Sequence, residues 1–193
     1  MTVREVAVAA YREGLPALAA SAVGGLVAGV VLGGMRAEFQ AVSGLLVLVP
    51  ALLATRGNVY GSLGARLATG LHQGLVTPQL RDADARLYRA VAAAILNGLL
   101  ASSVAAVAAV WALSALGGDP DPLWRLLAIA LLAGLLSGIV LSVTVVAVVF
   151  AGYRRGYNPD TLVGPIVTTA GDVFGVAFLL FAVRTVLYLT GVG

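Results

Sequence analysis

Apolar residues fall into five long blocks, separated by short clusters of charge, glycine and proline. The blocks run over about 15–34, 39–72, 90–116, 124–151 and 161–190. An α-helix rises ~1.5 Å per residue, so a hydrocarbon core of ~30 Å is crossed by ~20 residues. Every block is long enough, some with room to tilt. The second opens near Phe39, passes Pro50 and meets "TRGNVYGSLGARLATG" at 55–70, which predicts a break near 56–58. The pattern predicts an all-α integral membrane protein, with residues 1–193 forming a single domain of five transmembrane helices and no soluble regulatory domain. No connector is large enough for a ligand- or nucleotide-binding domain, and no phosphate-cradling glycine loop appears.

Composition sharpens this. Of 193 residues, 60% are hydrophobic and only 11% charged, far too little polar surface for a soluble domain of this size. All twelve basic residues are arginines and the net charge is only +3, which does not suggest nucleic-acid binding. Arginines near helix ends set orientation instead. Arg4, Arg12, Arg81, Arg86, Arg89, Arg154 and Arg155 fall on the side of the N-terminus, against Arg36, Arg125 and Arg184 on the other. The expectation is a multi-pass protein of the cell membrane, N-terminus cytoplasmic and C-terminus outside, with "GGDPDPLW" at 117–124 as an outer loop. The first block lacks a convincing cleavage site and is expected to stay as a helix. The mixed charges of "RDADARLYR", 81–89, mark a short cytoplasmic helix or solvated loop. Cysteine is lacking, so disulfides, thiolate metal sites and cysteine nucleophiles are excluded. His72, the one histidine, falls at a membrane boundary and reads as a polar end residue. No pair of titratable groups is placed for acid–base work, so an enzyme is not expected.

One residue breaks the pattern. In "GPIVTTAGDVFGVAFLLFAV", 164–183, Asp172 lies twelve residues past Asp160, about 18 Å into the fifth helix and so at mid-bilayer. A charge there costs roughly 2.5–3.5 kcal/mol even on the lenient insertion scale. Asp172 is therefore a partner for an arginine such as Arg56 or Arg66, or protonated, or turned toward a hydrated pathway. Its neighbours favour the pathway. Thr168 and Thr169, at i−4 and i−3, share its face. Pro165 has no amide proton and frees a backbone carbonyl, while Gly171 and Gly175 admit other backbone. A carboxylate, two hydroxyls and freed carbonyls form a set of hard oxygen ligands, suited to Mg²⁺, which takes few carboxylates and keeps several waters.

The second block has a matching irregularity. "PALLATRGN", 50–58, places Gly57 and the amide oxygen of Asn58 at membrane depth, where Asn58 serves either an ion or an interhelical hydrogen bond. It faintly echoes "PIVTTAGD" in the fifth block, as expected where two oppositely directed broken helices meet at a transport site. Other glycines, including the pairs Gly25/Gly29 and Gly134/Gly138, read as close helix packing.

At these residues the chain resembles the membrane domain of the MgtE and solute-carrier-41 family of magnesium transporters and channels. The matching elements are "VPALLATRGNVYGSLGARLATGLHQG" at 49–74, "ILNGLL" at 95–100 and "NPDTLVGPIVTTAGDVFG" at 158–175. The resemblance implies a homodimer with a pore along its axis, lined by the second and fifth helices, with Mg²⁺ as transported ion and no organic cofactor. It assigns ion binding to Asp172 and pore lining to Asn58, with Thr168 and Thr169 flanking the same site; Gly57, next to Asn58 in the second block, is counted with them as a site residue. Bacterial members gate the pore with cytoplasmic domains. Here only about fourteen residues precede the first block, so that gate is missing or held by another chain. The reading is a divalent-cation channel or transporter in membrane lipid, Mg²⁺ first. The alternatives are a proton- or sodium-coupled exporter in which Asp172 titrates, and a non-transporting scaffold.

Overall fold

The computed structural model describes residues 3–78, 85–156 and 159–191. It holds six helices: α1 (Val3–Gly34), α2 (Arg36–Ala41), α3 (Leu45–His72), α4 (Ala85–Ala115), α5 (Leu123–Arg154) and α6 (Pro159–Thr190). Among the described residues four stretches are long and apolar enough to cross a membrane: α3, α4, α5 and residues Val163–Thr190 of α6. The apolar part of α1, Leu18–Gly34, is shorter. Four residues of "RDADARLYR", 81–84, lie outside the described residues, and α4 takes up the remainder.

Two boundaries depart from the hydropathy reading. The second block is divided at Val42–Gly44, giving the six-residue α2 and then α3. Gly44 supplies the bend with φ +99°, a left-handed conformation that only glycine adopts cheaply. The break expected near 56–58 is not there, because α3 runs unbroken from Leu45 to His72. Pro50 comes early in the helix, and a glycine or asparagine inside an apolar helix loses less than a backbone stripped of its hydrogen bonds in lipid.

α5 is the hub, packed on α3, α4 and α6, while α6 also carries α1 on its far side. Two apolar clusters fill the bundle. One gathers Met35, Leu45, Leu48, Leu52, Ile129 and Leu179; the other gathers Tyr60, Leu63, Leu67, Leu141, Val149 and Val167. Neutral hydroxyls inside the helices donate to the carbonyl one turn back, as Ser102 does to Gly98 (2.8 Å) and Thr144 to Val140 (2.9 Å). At one end, the α2–α3 bend is stapled to the α4–α5 connection. The Ser43 amide donates to the Asp121 carboxylate (3.2 Å), the Ser43 hydroxyl to the Asp119 carbonyl (2.7 Å), and Arg125 to Asp121 (2.7 Å).

The glycines sort by neighbour. Gly25 and Gly29 have nothing within 4 Å of where a Cβ would stand, so among the described residues they close-pack against nothing. It is Gly24 and the buried Ala28 that turn inward on α1, with Gly24 receiving the Thr169 methyl of α6. Gly134 and Gly138 do allow close approach, but of side chains: the hydroxyls of Ser102 and Tyr60.

Candidate cation site

Asp172 is partly buried on α6, nine residues beyond Val163, or about 14 Å along the apolar stretch. Arg56 and Arg66 of α3 were its candidate partners, and the structure pairs it with neither. Among the described residues it makes no hydrogen bond and no ion pair. Thr168 follows the same face one turn earlier, is exposed, and donates to the Gly164 carbonyl (2.9 Å). With that proton committed to the backbone, the Thr168 oxygen keeps lone pairs for an incoming water or ion.

Thr169 is turned elsewhere. Its hydroxyl donates to the Pro165 carbonyl (2.7 Å) and lies 2.8 Å from the Ser21 hydroxyl of α1, which also reaches the Pro165 carbonyl (3.1 Å). Thr169 thus belongs to the α1–α6 seam and lines an apolar hollow of about 370 Å³ with Ala20, Val173 and Phe174.

Asn58 lies on an exposed stripe of α3 with Ser62 and Arg66, at i, i+4 and i+8. Together with Asn97 of α4 they line a groove of about 330 Å³ between α3 and α4. Gly57 is partly buried beside it, with open space where a side chain would stand. Asp172 and Thr168 thus share a face, while Asn58 opens into a different recess. No group of three His, Asp or Glu side chains gathers among the described residues.

Ser62 and Glu38 escaped the sequence reading, Asn97 entered it only within "ILNGLL", and Arg56 and Arg66 entered it only as partners for Asp172. Ser62, Arg66 and Asn97 carry a signal in retrospect, since 58, 62 and 66 repeat at helical spacing. Arg56 is 5% exposed, and none of its three guanidinium nitrogens has an acceptor among the described residues. It lies against Gly175, so the approach that this glycine permits is by a side chain and not by backbone. In the short α2, Glu38 is buried and accepts a hydrogen bond from Nε of Arg184 at 2.8 Å. Burial pushes that carboxyl up, but the Arg184 hydrogen bond and charge outweigh it and hold the group below its usual range. His72 ends α3 with Nδ1 2.7 Å from the Ala68 carbonyl, its ring edge-on to Tyr153 at 5.8 Å.

A helical bundle with spans of this length, carrying an unneutralised carboxylate and a stripe of amides and hydroxyls, defines a class: multi-pass membrane proteins with polar residues at membrane depth. Within it, residues 49–182 match the family model MgtE, described as a divalent cation transporter. The chain belongs to the MgtE family. Among curated proteins it is 30% identical over 151 residues to solute carrier family 41 member 2 of Homo sapiens, covering 73% of this chain and 25% of that protein. It is 29% identical over 151 residues to the Xenopus laevis member 2, with the same shares. With solute carrier family 41 member 3 of Rattus norvegicus it shares 26% over 184 residues, 88% of this chain and 39% of that protein. The chain spans a quarter to two fifths of the length of these relatives.

Proposed function

We propose that this protein moves divalent cations across a membrane, Mg²⁺ before others, as a homodimer whose protomers each cross five times. α1, 32 residues long, serves as the first crossing. The observation that carries this reading is Asp172: a carboxylate at membrane depth that the described residues leave without a hydrogen bond or counter-ion, although α3 carries two arginines. Such a group is costly unless water or a cation reaches it. Membership of a divalent cation transporter family supplies the cation class.

Two Asp172 side chains facing each other across a dimer axis would match the charge of one divalent ion. The carboxylates and the Thr168 oxygens would hold it through its own waters, so that it enters without full dehydration. Asn58, Gly57 and the exposed face of α3 continue the wall of the pore, and Thr169 braces α6 against α1. The N-terminus is cytoplasmic, in keeping with the arginine bias.

The test is Mg²⁺ flux into liposomes with and without an imposed pH or Na⁺ gradient, for wild type and Asp172→Asn. Flux that needs no second gradient and disappears in an inserted, dimeric Asp172→Asn is expected. Unchanged flux in that variant overturns the assignment of Asp172. Strict dependence on a proton or sodium gradient identifies an exchanger and not a channel.

A further inference from the structure

Arg56 is the least explained buried group among the described residues. It is 5% exposed, about 16 Å along α3 from Leu45, and no described carboxylate lies within ion-pair distance of it. Its guanidinium occupies a niche that exists because residue 175 is glycine. A Cβ at Gly175 would collide with Nη1 and stand 3.3 Å from both Cζ and the Leu53 Cδ2. Guanidinium stays protonated in proteins, so the bundle holds a fixed positive charge where leucine would pack. Asp172 precedes Gly175 by three residues on α6, about 4.5 Å along the axis. It is equally unpaired. α3 and α6 thus bring one positive and one negative charge to nearly the same depth and keep them out of contact.

That separation has a consequence for binding. In contact, the two groups would neutralise each other and leave no cation site. Without Arg56, a bare carboxylate in a medium of low dielectric would hold a divalent ion and release it slowly. We propose that Arg56 sets the affinity of the transport site: lodged in the Gly175 niche, its charge weakens the hold of Asp172 on a hydrated divalent cation so that the ion leaves. The inference rests on Asp172 as the ion-binding carboxylate. A unit charge acting over one or two helical turns at an effective dielectric of ~20 changes a divalent ion's affinity by roughly a hundredfold or more.

The experiment measures Mg²⁺ uptake against concentration in liposomes for the whole chain as wild type, Arg56→Gln, Arg56→Lys, Gly175→Ala and Asp172→Asn, each checked for a monodisperse dimer. Arg56→Gln is expected to lower the half-saturating Mg²⁺ concentration roughly a hundredfold or more and to reduce the maximal rate, as release becomes limiting. Arg56→Lys keeps the charge and holds half-saturation close to wild type. Gly175→Ala keeps the charge but expels it from the niche, and shifts half-saturation with no charge removed. Should Arg56→Gln fail to fold, the contrast between Arg56→Lys and Gly175→Ala still decides. Equal loss of rate in all three with half-saturation unmoved overturns the proposal and leaves Arg56 a packing residue. If Asp172→Asn transports normally, it is the assignment of Asp172 that fails; if that variant is dead while Arg56→Gln keeps the wild-type half-saturation, only the role of Arg56 fails.

Discussion

Alanine at position 138 should destabilise the bundle, and removing one oxygen atom from Tyr60 should restore it. Tyr60 is 1% exposed on α3, and its hydroxyl reaches the seam of α4 and α5, where Gly98 and Gly138 face it. A Cβ at Gly98 would stand 2.9 Å from the hydroxyl oxygen but 3.6 Å from Cζ. At Gly138 it would fall well inside van der Waals contact distance of that oxygen yet lie 3.4 Å from Cζ. The whole conflict is therefore with one atom. Overpacking of this kind costs about 1–3 kcal/mol, and in a chain of this size each kcal/mol moves the melting temperature by about 2–4 °C. Tyr60→Phe alone removes a buried hydroxyl that has no partner among the described residues, so it is neutral or stabilising by about 1 kcal/mol. The double variant should recover most of the loss, with a coupling energy of about 1–3 kcal/mol. Thermal unfolding of the four proteins in detergent, followed by size-exclusion chromatography, reads this directly. If Gly138→Ala melts with wild type, or the double variant melts with Gly138→Ala, Tyr60 is not wedged against α5.

Arg184→Gln should cost about 1–3 kcal/mol, because it strands the Glu38 carboxylate, which is 6% exposed. Glu38→Gln should cost less, since the Arg184 side chain it releases is 66% exposed and stays hydrated. The Glu38 carboxyl is held below its ordinary 4.5, so its contribution is complete above that pH and lost as pH falls through the lowered folded value. Melting between pH 7 and pH 3 should therefore fall further for wild type than for Glu38→Gln. Asp121→Ala removes the ion pair to Arg125 and the acceptor of the Ser43 amide, at about 1–2 kcal/mol. Faster hydrogen exchange at the Ser43 amide is the readout, and unchanged exchange would show that the two connections are held otherwise. Gly44→Ala forces a side chain into a left-handed bend beside the Leu126 Cδ2, at 3.1 Å, and should lose about 1–2 kcal/mol in the same melting assay.

The apolar blocks were legible because lipid demands ~20-residue spans whatever the packing, so length and hydropathy alone set the helices. The break at 56–58 misled because threonine, glycine and asparagine read as irregular in a soluble helix. Inside α3 the Thr55 hydroxyl simply donates to the Leu52 carbonyl (3.0 Å) and the helix continues. Asp172 was legible from cost alone. Its freedom from Arg56 and Arg66 was not, since a sequence gives depth but not azimuth between helices. The same gap hid the turn of Thr169 toward Ser21, and the opening of Asn58 toward Asn97 and away from α6. Small-residue spacing predicted close packing for both glycine pairs, but which pair faces a neighbour depends on rotation about the helix axis. That rotation placed Gly134 and Gly138 inward and Gly25 and Gly29 outward.

The pattern of unmet polar groups yields the most demanding expectation. Serine and threonine hydroxyls in the spans are largely satisfied by their own helices, as with Ser137 on Ala133 (2.5 Å) and Thr185 on Phe181 (2.8 Å). Tyr60 and Ser142 are buried hydroxyls left over, each worth about 1–3 kcal/mol at most. The charges of Arg56 and Asp172 cost more, and no contact between them offsets it. Replacing buried charges by apolar residues of similar volume is often stabilising by about 1–4 kcal/mol even where the charges are paired, and these two are not. Arg56→Met/Asp172→Leu should therefore melt several degrees above wild type while carrying no Mg²⁺ flux. A double variant that melts lower would mean that these charges hold the bundle together.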